Sequence, residues 1–286
     1  MNRTKKVHAI SKRAVRKFWS AHPLGSYESA HPPGSDRYFQ DLDEIRSDSS
    51  RFAMNMYEFE GLSDRRVLDV GCGPGWILSQ YSTHGARVTG TDLAESTVHL
   101  ALTNLQRSGL GGQATVGDAE SLPYKSAAFD FVCCDGVLHH TPGSDIAAGE
   151  IYRVLQPGGR ALISVYYQSI LLRQPWFFLA KAALGGLRVT MHGRPAVRLS
   201  TSRDEFVRWY DGIDNPVGKF YTRDQAALLS EAAGFEVIES EVHYFPLRFF
   251  PGQSLVPTWL YRMLDRWFGT MLFLKVVKAV GEDAEQ

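Results

Sequence analysis

The stretch Arg66–Trp76 reads RVLDVGCGPGW. An apolar run carrying one acid, Asp69, is followed by Gly71, Gly73 and Gly75, with Pro74 between the last two. A short β-branched run of this kind reads as a strand. The residues after it, WILSQYSTHG from Trp76 to Gly85, have helical spacing and a glycine stop. Three glycines in a strand-to-helix turn let the backbone bend sharply and let another group approach with no Cβ in the way. The helix start behind them offers unpaired N–H groups to an anion. A dinucleotide turn would read G-x-G-x-x-G, whereas this one reads G-x-G-x-G and leaves less of a diphosphate cradle. A tight turn with no ligand is the plainer alternative.

The rhythm continues downstream. RVTGTDL reads as a second strand, and AESTVHLALTNLQRSGL as a helix closed by Gly109. ATVGDAESLP holds a third strand and FDFVCCDG a fourth. SDIAAGEIYRVL is a helix that Pro157-Gly158-Gly159 ends, and RALISVYY is a fifth strand. Strands alternating with helices at this spacing predict a parallel sheet with helices on both faces. Residues 168–220 then show no clear strand and many aromatics, before the helix YTRDQAALLSEAAGF and the strand FEVIESEVH. An insert at that place faces the crevice at the strand carboxyl ends. Residues 1–60 read as loops with one or two helices.

Two acids sit where a nucleoside would need them. Asp92 ends the second strand about twenty residues past the turn, where a carboxylate can accept from ribose hydroxyls, although such an acid also caps helices. Asp118 ends the third strand, placed to accept from an adenine amino group while the Ala119 N–H donates to the ring. His139 and His140 follow the fourth strand at the crevice edge. One of them, His139 ahead of His140, is a candidate base for an acceptor proton. The alternative is that the pair orders the loop leading to Thr141-Pro142-Gly143.

Composition excludes several classes. With 31 basic and 31 acidic residues the formal net charge is zero, so no global field argues for nucleic acid. The charge is uneven, because Arg3 to Lys17 holds seven Lys or Arg and no acid. That arm reads as a solvated, partly helical lead-in, with a membrane-surface, RNA-contacting or targeting role as alternatives. Cys72, Cys133 and Cys134 have no metal-ligand or redox spacing, and the adjacent Cys133 and Cys134, in an apolar run, read as buried thiols of a reducing compartment. No metal site is expected. No uninterrupted apolar segment reaches the ~20 residues of a membrane span. A cytoplasmic protein is expected, with peripheral membrane association as the variant.

The motifs VLDVGCGPG, GTDL, GDAESLPY, FDFVCCDGVLHHTPG and EIYRVLQPGGRALISVY resemble, in this order, those of the class I S-adenosylmethionine-dependent methyltransferases. Within them the chain is similar to the small-molecule, type 11-like group that includes ubiquinone and menaquinone methyltransferases. The resemblance is strong over 62–166 and weaker over 219–243. It implies a Rossmann-like, doubly wound, mostly parallel seven-stranded α/β sheet with helices on both faces, here with a helical cap insert. It implies S-adenosylmethionine as cofactor, held by Asp69, Gly71, Cys72 and Gly73 at the turn, Asp92 and Leu93 at ribose and adenine, and Asp118 and Ala119 at the adenine edge. Cys134 and Asp135 fall where related proteins hold the methionine amino group, partly through backbone carbonyls. FWSAHPLG and DRYFQDL look like a lid segment, in which Tyr38 and Phe39 close over the ligands or simply pack.

The expected division is a helical lid over 1–60, a cofactor-binding core over 61–167 and 219–245, an acceptor-binding cap over 168–218, and a segment 246–286 that completes the core and ends in a helix. QPWFFLAKAAL, Trp209-Tyr210 and HYFPLRFFPG predict a pocket for a small hydrophobic or aromatic acceptor, or aromatic packing of cap on core. TWLYRMLDRWFGTMLFLKVVK reads as a packed terminal helix, with a membrane-surface helix as the alternative. The expected activity is methyl transfer to O, N or C of a small hydrophobic metabolite. RNA methylation through the basic arm and a non-enzymatic scaffold are the competing readings. Nucleic acid is not an expected partner, and the oligomeric state is left open.

Overall fold

Val67 to Val70 are all almost completely buried, because β1 (Arg66–Val70) lies inside a sheet covered on both faces. The computed structural model describes residues 2–169, 188–189, 197–198, 215–245, 247 and 255–280. After β1 come α3 (Trp76–Thr83), β2 (Arg87–Asp92), α4 (Glu95–Arg107), β3 (Gln113–Val116), β4 (Phe129–Asp135), α5 (Ser144–Val154) and β5 (Leu155–Tyr166). Two helices precede them, α1 (Asn2–Ala21) and α2 (Asp36–Ser50). A two-residue antiparallel ladder joins β6 (Arg188–Val189) to β7 (Val197–Arg198). The chain then forms α6 (Arg223–Ala232), β8 (Phe235–His243), α7 (Thr258–Phe268) and β9 (Met271–Lys278).

Seven strands make one sheet in the order β3-β2-β1-β4-β5-β9-β8. The first five pair in parallel, and β9 runs antiparallel between β5 and β8. This is the expected doubly wound architecture. Its two cores are visible in the period-2 alternation of β4. Phe131 and Cys133 join Trp76, Leu78, Tyr81 and Leu105 of α3 and α4 on one face. Val132 and Cys134 join Ala147, Ile151 and Ala226 of α5 and α6 on the other. Chain order reverses between β1 and β4, which opens a crevice at their carboxyl ends.

The C-terminal segment differs from its sequence reading. It completes the core as expected, but its helix stops at Phe268, and MLFLKVVK is the strand β9 rather than a continuation. The break falls at Gly269, where a Cβ would lie 2.4 Å from the His243 carbonyl oxygen, so glycine is the residue that lets the chain turn this close to β8. The run looked helical because a strand buried on both faces loses its alternation. The basic arm also differs. Its last turns are not a solvated lead-in: Val15 and Phe18 are buried, and Lys12 Nζ lies 2.7 Å from carboxylate oxygens of both Asp118 and Glu120.

Candidate functional site

The three glycines of the turn all have positive φ, yet they do different work. A Cβ on Gly75 would come within 2.8 Å of the Ala101 backbone, so this glycine lets α3 pack on α4. A Cβ on Gly71 would strike Val137 at 2.2 Å. A Cβ on Gly73 would meet no protein atom nearer than 4.0 Å, although the residue is not on the outer surface. It borders a cavity of ≈ 240 Å³ at the ends of β1, β2 and β4. One water needs about 10–15 Å³ of such space, so the cavity has room for an organic molecule.

Gly71, Cys72, Gly73, Asp92, Leu93, Asp118, Ala119, Asp135, His139 and His140 all border this cavity. Asp69 and Cys134 do not. Asp69 sits within β1 at 1% exposure, and its Oδ2 has no hydrogen-bond partner among the described residues. Burial, with Asp135 and Asp92 adding and Arg46 opposing, pushes its carboxyl well above the usual range. The Cys134 side chain points into the opposite core, so the residue could serve the cavity only through its backbone, as the resemblance implied. Tyr38 and Phe39 are fully buried beside Leu100, and Tyr38 Oη donates to the Leu24 carbonyl, so they pack rather than close over a ligand.

Asp92 is both a helix-start acceptor and a ligand candidate. Its Oδ2 accepts from Gly73 N–H at 3.0 Å and its Oδ1 from Ala94 N–H at 2.9 Å. Burial pushes its carboxyl up, and these backbone bonds oppose the shift. Each carboxylate oxygen has a second lone pair, so a diol can still be held. Asp118 is more heavily used: Oδ2 takes Lys12 and Oδ1 takes the Glu120 N–H at 2.9 Å. An adenine amino group would share Oδ2 with the α1 lysine.

Arg46 was not anticipated. It follows Leu42 by four residues on the buried face of α2, so an arginine on an apolar stripe was the available signal. Its Nη2 lies 2.7 Å from Asp135 Oδ2, and its guanidinium sits 4.9 Å from the Trp76 ring centroid. Tyr57 Oη also donates to Asp135, at 3.1 Å, and contacts Tyr244 Oη at 2.9 Å. Arg46 Nε and Trp76 Nε1, both on cavity-lining residues, are buried with no partner among the described residues. Two such donors, five lining acids (Glu28, Asp92, Asp118, Glu120, Asp135) and two lining bases (Lys12, Arg46) fit a ligand that carries both an anionic group and an excess of positive charge.

The two histidines are not equivalent. His139 Nδ1 accepts from the Tyr166 N–H at 3.3 Å, which leaves the proton on Nε2. Burial, with His140 adding, pushes its pKa well down, so the ring is neutral and has no second lone pair to act as a base. The preference for His139 is therefore reversed. His140 Nδ1 lies 2.7 Å from the Val217 carbonyl, a contact that needs a hydrogen on Nδ1 and makes Nε2 the basic nitrogen. The Asn215 amide nitrogen at 3.2 Å is then a packing neighbour, not a donor. The expected acceptor pocket in 168–218, with Trp176, Phe177, Trp209 and Tyr210, lies outside the described residues apart from 168–169, 188–189, 197–198 and 215–218.

Residues 68–163 match the family model described as a methyltransferase domain. The chain is 32% identical over 103 residues to a ubiquinone biosynthesis O-methyltransferase of Coxiella burnetii, an alignment covering 36% of this chain and 44% of that protein. It thus spans less than half the length of the curated relatives it matches. An S-adenosylmethionine-dependent methyltransferase from Mesorhizobium loti superposes with a TM-score of 0.53 at 20% identity, over 80% of this chain and 97% of that one. The [4+2]-cyclase SpnF superposes at 0.56 and 20% identity over 97% of each chain. At such identities the two structures show a shared fold.

Proposed function

We propose that this chain, which carries a class I S-adenosylmethionine-dependent methyltransferase domain over residues 68–163, moves the cofactor's methyl group to a small hydrophobic acceptor. The observation that carries this reading is the cavity itself. It joins a glycine with no Cβ neighbour, a ribose-competent acid and two buried donors that have no partner among the described residues. Asp92 would hold the ribose, the Leu93 and Ala119 region the adenine, the Gly71–Gly73 backbone the methionine part, and Arg46 a carboxylate. The cofactor, when bound, supplies an electrophilic methyl on a sulfonium. The protein's own work is alignment and exclusion of water, and Trp19, Val15 and Leu24 from the N-terminal segment close the cavity wall.

An acceptor hydroxyl or amine must also lose a proton, and we assign that role to His140, which borders the cavity and has its Nδ1 engaged by the Val217 carbonyl. His140→Gln should lower turnover by about 10²–10⁴-fold and leave cofactor affinity within about twofold. Turnover within about threefold of the parent would remove His140 from the chemistry and favour a carbon acceptor or one already ionised. The RNA reading relied on the basic arm, and Lys12 of that arm is already paired with two carboxylates. The test of acceptor class is incubation with methyl-labelled cofactor and fractionated extract. Label should enter small lipophilic molecules, and label in RNA instead would refute the proposal.

A further inference from the structure

Helix α7 presents two unlike faces. Tyr261 and Asp265, four residues apart, are buried. Asp265 Oδ1 accepts from Phe245 N–H at 2.8 Å, and its Oδ2 lies 2.7 Å from His243 Nδ1. Tyr261 packs edge-on against Phe52 at 5.1 Å and reaches the Phe245 carbonyl at 3.3 Å. The helix is thereby fixed, so its outer face cannot turn inward. That face consists of Trp259, Arg262, Met263, Arg266 and Trp267, all exposed and following the i, i+3, i+4, i+7, i+8 stripe. Trp259 is 69% exposed, Trp267 68%, and Leu255 just before the helix 84%. At such exposure each indole leaves most of its surface in water.

We propose that this face of α7 docks on an anionic lipid surface. Tryptophans with arginines between them are the chemistry of a membrane interface: indoles settle at the headgroup level and guanidiniums pair with lipid phosphates. The only acid of the helix, Asp265, is buried, so no exposed carboxylate on it would repel the lipid. The same charge pattern argues against a second copy of the chain, since a two-fold contact would set arginines against arginines. The mode is surface contact, because no described helix is long and apolar enough to cross a membrane. Tyr244 and Met271, which flank the segment carrying α7, border the cavity. A docked α7 would therefore hold the cavity beside the bilayer. Only this last consequence rests on a hydrophobic acceptor, and the docking itself does not.

The test is co-sedimentation of the full chain, without cofactor or acceptor, with phosphatidylcholine vesicles and with phosphatidylcholine–phosphatidylglycerol vesicles. The parent should bind the anionic vesicles at least about tenfold better than the neutral ones. Trp259→Ser with Trp267→Ser should lose about tenfold or more of that binding, and Arg262→Gln with Arg266→Gln should lose the anionic preference, both with unchanged melting temperature. Three results overturn the proposal. The parent stays in the supernatant; the tryptophan pair variant, which keeps every basic residue of α1, binds like the parent; or the tryptophans instead govern a concentration-dependent dimer. None of these outcomes depends on whether the chain methylates anything.

Discussion

Arg46→Ala is expected to destabilise the protein by about 3–5 kcal/mol, the cost of leaving one member of a buried ion pair without its partner. The residue is 8% exposed and meets Asp135, itself nearly buried, at 2.7 Å. Removing the guanidinium strands that carboxylate with Tyr57 and Ser164 as its side-chain donors among the described residues. For a chain of this size the loss corresponds to a fall of roughly 10 °C in melting temperature. Adding Asp135→Asn should restore a good part of it, because the stranded charge is then gone. If the double variant is no more stable than Arg46→Ala, the cost is lost packing over Trp76 rather than lost charge.

Asp92→Ala is expected to weaken cofactor binding by at least about tenfold, since each hydrogen bond to a charged acceptor is worth about 1.5–3 kcal/mol. The carboxylate also ties Gly73 and Ala94 in place. The loss therefore has two sources, bonds to ribose and an unfastened turn. Asp92→Asn separates them, because the amide keeps an oxygen for one backbone N–H but accepts less from a diol. The asparagine variant should keep most of the thermal stability and still lose cofactor affinity. An unchanged dissociation constant in both variants would place the ribose elsewhere.

The parts of the site legible in the sequence are those whose residue types sit at fixed offsets in the chain. The glycine turn, Asp92 and Asp118 each follow a strand, and strand ends in this topology converge on one crevice. Gly73 could be singled out only with coordinates, since its neighbours Gly71 and Gly75 serve packing against Val137 and Ala101. Arg46 and Asp135 lie 89 positions apart, and Lys12 and Asp118 lie 106 apart. No local pattern announces such pairs. The roles of His139 and His140 depend on partners from β5 and from Val217, so adjacency in sequence hid their difference. The strand β9 was misread as helix because its interior position removes the alternation that marks a strand.

If the cavity at the ends of β1, β2 and β4 holds S-adenosylmethionine, isothermal titration of the purified full chain with S-adenosylmethionine, its demethylated product and NAD will show it. The first two should bind with roughly micromolar dissociation constants, near −8 kcal/mol, and NAD far more weakly. Trp76 stands where a dinucleotide turn, G-x-G-x-x-G, has its third glycine. NAD binding more tightly than S-adenosylmethionine, or no heat with either sulfur compound, would contradict this assignment of the cavity.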